Sequence, residues 1–360
     1  MKKVYVGMSG GVDSSLTAAL LVEQGYDVTG VYMKNWTQDL PGMKCPWADD
    51  LADAKRVAVQ LGIDFKVFDF ENEYKQKVVN YMIDEYKLGR TPNPDIMCNQ
   101  EVKFKLFLET ALEDGADLIA TGHYARVKHQ EVPPFGQHEG VHDGQLLQAV
   151  DTNKDQTYFL YRVTGEALAK VLFPLGEFTK PTVREMAKER GLFTAAKKDS
   201  QGICFVGQIG IREFLSQYVE QKAGSIIDKK TNKVLGQHDG AIFYTIGQRH
   251  GLDVGGGLPY YVVGKDMDKN EVYVTTNLND EALWRPKLTL TSAHWINETP
   301  QPGEYQVRVR HRASLISTQL SFNEDSSVEL ALNNAERAVA AGQSVVIYNG
   351  DFCVGGGIIA

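Results

Sequence analysis

The 360 residues lack the features that mark a membrane protein, a secreted protein or a globally basic nucleic-acid binder. No apolar stretch approaches the roughly 18 residues that cross a bilayer as a helix, and the first residues enter a strand-like run without the apolar core of a signal peptide. We therefore expect a cytoplasmic protein with no membrane partner. The net charge of -8 excludes a globally basic nucleic-acid binder, but a local basic patch remains compatible with it.

Cysteine is scarce, and the spacing of the four cysteines matches no common redox or metal-binding motif. Cys45, Cys98, Cys204 and Cys353 form no C-x-x-C pair and no zinc-ligand pattern, so we expect no metal held by the chain itself. In a reducing cytosol such thiols are either buried or chemically active. Cys45 and Cys353 are typical of small buried residues, and Cys353 lies in a strand-like run.

The periodicity of apolar residues predicts an α/β fold for the first part of the chain. Strands that alternate with helices at this spacing indicate a doubly wound parallel sheet with right-handed crossovers. The expected strands lie at 4–8, 27–33, 65–70 and 117–121, and the later helices at 73–88, 99–113 and 181–192. Beyond about 276 the helical signal nearly vanishes, and short alternating runs predict a β-barrel or sandwich. We expect three domains: a catalytic domain at 1–205, a small central α+β domain at 206–275, and a C-terminal β-barrel at 276–360.

The most informative residues connect the first strand to the first helix. They read Ser9-Gly10-Gly11-Val12-Asp13-Ser14-Ser15. A glycine pair lets the backbone approach an anion, and the helix N-terminus behind it adds a partial positive charge. Neither the Walker A ending nor G-x-G-x-x-G is present. The string matches the pyrophosphate-binding loop of the PP-loop ATP pyrophosphatases, which adenylate a substrate oxygen.

Three further segments carry candidate chemistry. Gly122 and His123 follow a predicted parallel strand, at the sheet edge where ligands of open α/β sheets bind. Cys98 is expected just before a helix whose dipole would favour the thiolate, and Cys204 follows a pair of lysines that would do the same. Arg308, Arg310 and Arg312 alternate and are expected to project from one side of one strand, as a basic RNA face.

Taken together, these landmarks resemble the bacterial tRNA-specific 2-thiouridylases, which install sulfur on the wobble uridine of certain tRNAs. The resemblance covers essentially the full length and includes the expected domain plan. Its landmarks are residues 7–14, 89–95 with Cys98, 120–124, 154–156, 198–205, 245–249 and 348–350.

The resemblance implies a role for individual residues. ATP binding is implied for Gly7, Met8, Ser9, Gly10, Gly11, Val12, Asp13, Ser14, Met33 and Gly122. Contacts with the target base are implied for Asn93, Pro94 and Asp95. Contacts with tRNA are implied for His123, Lys154, Asp155, Gln156, His311, Arg312 and Gln343. Cys98 matches the nucleophile and Cys204 the persulfide carrier, and the two would form a transient disulfide.

The chemistry expected from this resemblance uses ATP, with Mg²⁺ on its phosphates, to adenylate the uridine oxygen. A sulfurtransferase or cysteine desulfurase would load Cys204 with sulfur, and Asp95 is a candidate general acid or base. Three alternatives stay open. They are an amide-forming PP-loop ligase or synthetase, a thiolase whose iron–sulfur cluster is bound by scattered cysteines, and a non-catalytic RNA-binding module.

Overall fold

A computed structural model describes residues 1–39, 45–129, 144–199, 210–255 and 257–360. The strands are β1 (Lys3–Gly7), β2 (Asp27–Lys34), β3 (Asp64–Asp69), β4 (Leu118–Ala120), β5 (Arg126–Lys128), β6 (Gln145–Leu147), β7 (Val171–Leu172), β8 (Gly224–Asp228), β9 (Val234–His238), β10 (Tyr261–Asp266), β11 (Glu271–Thr275), β12 (Trp284–Trp295), β13 (Gly303–Arg308), β14 (Ile316–Phe322), β15 (Val328–Arg337), β16 (Ser344–Asn349) and β17 (Phe352–Ile359).

The helices cluster in the first 215 residues. They are α1 (Val12–Glu23), α2 (Trp47–Leu61), α3 (Glu71–Tyr74), α4 (Tyr81–Lys87), α5 (Pro94–Met97), α6 (Phe107–Glu113), α7 (Thr157–Leu160), α8 (Gly165–Leu168), α9 (Lys180–Glu189) and α10 (Ile211–Leu215). A π-helical segment, Lys75–Asn80, joins α3 to α4, and a second, Cys98–Leu106, joins α5 to α6. Single 3₁₀ turns lie at Phe193–Ala196, Ala241–Phe243 and Glu281–Leu283.

The N-terminal sheet is parallel and doubly wound, as the sequence predicts. Its five strands are ordered β3-β2-β1-β4-β7, so the strand order reverses beside β1. Val4 and Val6 pack toward α1 and α2, whereas Tyr5 between them packs on the opposite face against residues that include Phe107 of α6. Because β1 is covered on both faces, its apolar run is continuous rather than alternating. The loops at the carboxyl ends of β1 and β4 therefore adjoin at the switch point, where such folds bind ligands.

The rest of the chain forms two β-rich units. The central unit is a four-stranded sheet in the order β10-β11-β8-β9. The C-terminal unit is a six-stranded barrel, β12-β15-β14-β13-β16-β17, which closes through pairing of β12 with β17. The β5–β6 hairpin extends this barrel, since β6 pairs with β17 at Leu146 and Leu147. The sequence did not indicate that a piece of the first domain would join the last one.

The expected arginine face along one barrel strand is wrong. Strand β13 ends at Arg308, and the Arg308 side chain is only 8% exposed. Arg310 lies beyond the strand and pairs with Glu336, while Arg312 occupies a turn with φ of +63°. The alternation of the three residues is therefore broken after the first: Arg308 is buried, Arg310 is partly exposed and Arg312 is exposed.

Arg308 instead joins the barrel to the first domain. Its guanidinium donates to Asp155 at 2.8 Å, and the Asp155 side chain is fully buried. The same carboxylate accepts from the Thr157 hydroxyl at 2.7 Å and from the Ala149 amide at 3.0 Å. A buried carboxylate is stable only while these donors satisfy its charge. The role of Asp155 as a tRNA contact stays a prediction.

Arg308→Met is expected to lower the free energy of unfolding by about 3–5 kcal/mol, because it leaves a buried carboxylate without its ion-pair partner. Urea unfolding measures this loss. Lys287→Met is the control, since Lys287 pairs with Glu329 on the exposed barrel surface and such pairs contribute less than about 1 kcal/mol. Equal losses in the two variants would contradict the assigned role of Arg308.

Candidate functional site

The loop between β1 and α1 has the geometry of an anion-binding turn. Gly10 adopts φ of +72°, and a Cβ there would lie 2.5 Å from the Asp50 carbonyl oxygen, so only glycine fits. Gly11 is the N-cap of α1 and gives no side-chain cap to the helix. The amide groups of the first helical turn are thus left for another acceptor. The Ser9 and Ser14 hydroxyls lie 3.3 Å apart beside this turn.

Two neighbouring strands contribute the other residues predicted to bind ATP. Gly122 follows β4, and a Cβ there would lie 2.9 Å from the backbone nitrogen of Ser14, so the two loops touch. Met33 of β2 reaches Gly7, where a Cβ would be 3.0 Å from the Met33 methyl group. The structure therefore gathers the predicted ATP residues at the carboxyl ends of β1, β2 and β4. Their binding of ATP stays a prediction.

A network of charged side chains that the sequence analysis missed adjoins this loop. Lys180, at the start of α9, donates to both oxygens of Asp13 at 2.7 and 2.8 Å and pairs with Asp199 at 2.9 Å. Lys154 and Arg184 also pair with Asp199, at 2.8 and 2.6 Å. Lys154 is a predicted tRNA contact and Asp199 lies in the landmark 198–205. No motif marks Lys180 or Arg184, because α9 is some 170 positions from the loop.

The network fixes the protonation state of its members. Burial alone would raise the pKa of Asp199, but hydrogen bonds from Lys154 and Lys180 outweigh it and lower the pKa to about 2. Burial and the adjacent Asp13 carboxylate raise the pKa of Tyr124, so its hydroxyl remains a donor to Asp13 at 2.8 Å. Asp199 is therefore ionised, and Tyr124 neutral, at physiological pH.

Lys197 makes a second link to the same loop. Its ammonium donates to the Gly10 carbonyl at 3.1 Å and to the Asp50 and Asp53 carboxylates at 2.9 and 2.8 Å. The sequence analysis assigned this lysine to the environment of Cys204. In the structure its charge is engaged by the two carboxylates of α2.

Cys98 lies inside a helix, which corrects the expectation that it precedes one. The helix starts at Pro94, with the Asn93 side chain accepting from the Asp95 and Ile96 amides at 3.1 and 3.4 Å. Asparagine as N-cap followed by proline is a strong start signal, whereas the sequence analysis expected this helix to begin only at residue 99. Cys98 is 4% exposed and begins the π-helical segment.

Asp95 has the electrostatic character of a group that exchanges protons. It lies one turn before Cys98 on the same helix, and burial raises its pKa while Lys103 partly opposes the shift. A raised pKa makes the protonated form of a carboxyl more accessible, which suits a group that gives and accepts a proton. This supports Asp95 as a candidate acid or base and leaves its role a prediction.

Thr91, just before Asn93, marks the place where the three units meet. Its amide donates to the Ala341 carbonyl of the barrel at 2.8 Å, and its hydroxyl lies 3.4 Å from that of Thr245 in the central unit. Gly342 packs so closely on Arg90 that a Cβ would lie 2.7 Å from the Arg90 Cβ. The predicted tRNA residue Gln343 is thus placed near the predicted target-base loop.

The remaining predicted tRNA residues differ in exposure. His123 is buried against Phe104 and Phe173, and burial lowers its pKa well below the usual range. The His311 ring contacts that of Phe159 in a tilted arrangement, with ring centres 4.5 Å apart. Burial, with Arg312 and Arg308 nearby, lowers the pKa of His311 to about 4, so it is neutral at pH 7. Gln156 accepts from the Tyr124 amide at 2.8 Å.

The remaining expectations concern the other cysteines, a metal site and a membrane span. Cys204 lies in 200–209, outside the described residues, so its pairing with Cys98 stays a prediction. Cys45 and Cys353 are buried, as expected. Within the described ranges no group of three or more His, Cys, Asp or Glu could hold a metal ion. The same ranges contain no helix that is long and apolar enough to span a membrane.

Comparison with known proteins first defines a class. A family model described as the tRNA methyl transferase HUP domain matches residues 2–208. The corresponding PRC-barrel domain model matches residues 212–276, and an aminomethyltransferase β-barrel domain model matches residues 285–359. The chain is thus a HUP-domain protein with two appended β-domains.

Sequence relatives then identify the family. Two proteins named tRNA-specific 2-thiouridylase MnmA, from Listeria monocytogenes serotype 4a and Bacillus cytotoxicus, are 47% and 44% identical to it. Each alignment covers 99% of this chain and 94% of the relative. The chain belongs to the tRNA-specific 2-thiouridylase family.

Solved structures give a more remote likeness. The U34-tRNA thiolase NcsA from Methanococcus maripaludis, with its 4Fe-4S cluster, is 16% identical with a TM-score of 0.36. The match covers 60% of this chain and 65% of that one. At that distance it carries no argument about the site.

Proposed function

We propose that the protein is an ATP-dependent tRNA sulfurtransferase that replaces O2 of the wobble uridine by sulfur. The observation that carries this proposal is the loop at Gly10 and Gly11, with its uncapped helix start, lying at the sheet's switch point beside the residues after β4. The family supplies the substrate class, and the loop supplies the site for the phosphates of ATP.

The relatives and the family models are named for different reactions, and the site fits the reaction named for the relatives. The models are described by methyl and aminomethyl transfer, whereas the curated relatives are named for thiolation. Thiolation needs a leaving group on the uridine oxygen, and a pyrophosphate-binding loop suits the reaction that creates one. A cysteine nucleophile is the second requirement, and Cys98 lies on the helix that follows the predicted target-base loop.

In the proposed first step the uridine O2 attacks the α-phosphate of ATP, so that pyrophosphate leaves and the oxygen carries AMP. The α1 N-terminus and the loop amides would hold the phosphates and orient them for in-line attack. Mg²⁺ is commonly held by one or two carboxylates together with substrate phosphates, but both oxygens of Asp13 accept from the Lys180 ammonium, so this carboxylate is not a free ligand for the ion. When bound, Mg²⁺ neutralises charge on the phosphates.

In the proposed second step sulfur comes from a persulfide on Cys204, loaded by a sulfurtransferase or a cysteine desulfurase. Cys98 either attacks the persulfide and frees sulfide, or resolves the intermediate after direct transfer. In both routes the transferred sulfur takes an electron pair, AMP leaves the uridine, and the two cysteines are oxidised to a disulfide. A thiol reductant must then regenerate them.

The proposed setting is the cytoplasm, where tRNA and a thiol pool are both present. The uridine must leave its stack to reach the α-phosphate, as expected for enzymes that act on unpaired RNA bases. His311, neutral and in contact with the Phe159 ring, suits contact with a base better than contact with a phosphate.

Release of pyrophosphate from ATP in the presence of tRNA tests the proposal. The purified protein is expected to release it with an unmodified tRNA that carries a wobble uridine, and not with free amino acids. Pyrophosphate release driven by an amino acid or another amide-forming substrate would favour the ligase alternative. No release with any substrate would favour an RNA-binding module.

Arg312→Gln is expected to weaken tRNA binding and to reduce the slope of log Kd against log salt by about one unit, because it removes one phosphate contact. Arg312 is exposed and has no ion pair within the described residues. Arg285→Gln, at another exposed barrel arginine, should leave the slope unchanged. An unchanged slope for Arg312→Gln would place the RNA face elsewhere.

A further inference from the structure

The phosphate loop contains a negative charge where an anion is to bind. Asp13 lies in the first turn of α1, one residue after Val12. An uncompensated carboxylate this close to the loop would repel the phosphates, since two like charges a few ångströms apart interact strongly near a protein surface. A second charge must therefore balance it.

Lys180 is placed to provide that balance. Its ammonium contacts both Asp13 oxygens, at 2.7 and 2.8 Å, and the lysine side chain is 9% exposed. It also lies over the Tyr124 ring, 5.6 Å from the centroid, and Tyr124 donates its hydroxyl to Asp13. The buried lysine, held by both Asp13 oxygens and the Tyr124 ring, keeps the ion pair at a defined place although Asp13 itself is partly exposed.

The other acids near Lys180 depend on it less. Asp199 keeps Lys154 and Arg184 when Lys180 is removed. The Asp151 carboxylate accepts from the backbone amide of Lys180 at 2.9 Å, a bond that does not involve the Lys180 side chain. Asp13, in contrast, would keep the neutral Tyr124 hydroxyl as its side-chain partner among the described residues.

We infer that Lys180 is a positioning residue of the phosphate loop, which sets nucleotide affinity by neutralising and orienting Asp13 without contacting the nucleotide. The inference rests on the proposed function, because it takes ATP as the ligand of the loop. It assigns to α9 a role in substrate binding that its sequence does not indicate.

ATP binding in excess EDTA isolates this effect, because the protein then supplies all the compensating charge. Lys180→Met is expected to weaken ATP binding by about tenfold or more. In the Asp13→Asn background the same substitution should change the affinity less than about twofold, because no carboxylate remains to be compensated. Lys188→Met, at an exposed lysine of the same helix, is the matched control and should bind ATP like the wild type.

Two results would overturn the inference. One is an equal loss of affinity for Lys180→Met in the wild-type and Asp13→Asn backgrounds, which would mean that Lys180 does not act through Asp13. The other is unchanged affinity in Lys180→Met. If that variant does not fold, Lys180→Gln takes its place in the wild-type and Asp13→Asn backgrounds, with the same expected and contradicting results. A wild-type protein that binds no ATP would instead refute the proposed function.

Discussion

Cys98→Ser is expected to accept a persulfide on Cys204 and yet to form no thiolated tRNA. The serine hydroxyl is close in size to the thiol, so the buried position on the helix should be kept, whereas a hydroxyl neither attacks a persulfide nor forms a disulfide. Cys204→Ser should never load sulfur from the partner. Both variants should bind ATP and tRNA, because neither cysteine is assigned to those sites.

Transfer of labelled sulfur followed by peptide mapping measures these outcomes. Cys353→Ala is the control, since Cys353 is buried in β17 and burial raises its pKa, which keeps the thiol unreactive. Label on Cys98 and not on Cys204 in the wild type would reverse the two roles. Full activity in both serine variants would remove the thiolation mechanism.

Gly11→Val is expected to abolish nucleotide-dependent activity with little loss of fold stability. Among the described residues, a Cβ at Gly11 would meet the Ser9 hydroxyl alone, at 3.5 Å, so the side chain would project into the space assigned to the phosphates. Valine in place of glycine at an N-cap costs about 1 kcal/mol. Gly10 is a poorer test, because its backbone has φ of +72° and a Cβ would clash with Asp50.

Equilibrium binding of ATP and urea unfolding together check this prediction. Gly303→Val, at a glycine with nothing within 4 Å of a would-be Cβ, should keep both ATP affinity and activity. Unchanged ATP affinity in Gly11→Val would contradict the pyrophosphate-loop assignment.

The sequence predicted most of the fold, since strand periodicity and loop chemistry are local. It missed the features that depend on distant contacts. The 12-residue strand β12 was not expected, and neither was the β5–β6 hairpin that pairs with β17. Arg308 shows the same limit, because an alternating pattern cannot reveal that Asp155, from another domain, pairs with it in the interior.

In the candidate site, too, the residues of a contiguous motif could be predicted from the sequence, whereas those that depend on distant contacts could not. The loop from Ser9 to Ser14 is a contiguous motif whose backbone geometry follows from glycine, so the sequence was sufficient to find it. Lys180 is a lysine at a helix start with no motif around it, and only the fold brings it to Asp13. The start of the helix at Pro94 could be predicted from the N-cap Asn93, but the sequence analysis expected the helix only from residue 99.

Mass spectrometry of tRNA nucleosides tests the central claim most directly. tRNA from a strain that lacks the gene is expected to contain no 2-thiouridine derivative at the wobble position. The wild-type gene should restore it, whereas genes carrying Gly11→Val or Cys98→Ser should not. An unchanged content of 2-thiouridine in the deletion strain would contradict the account.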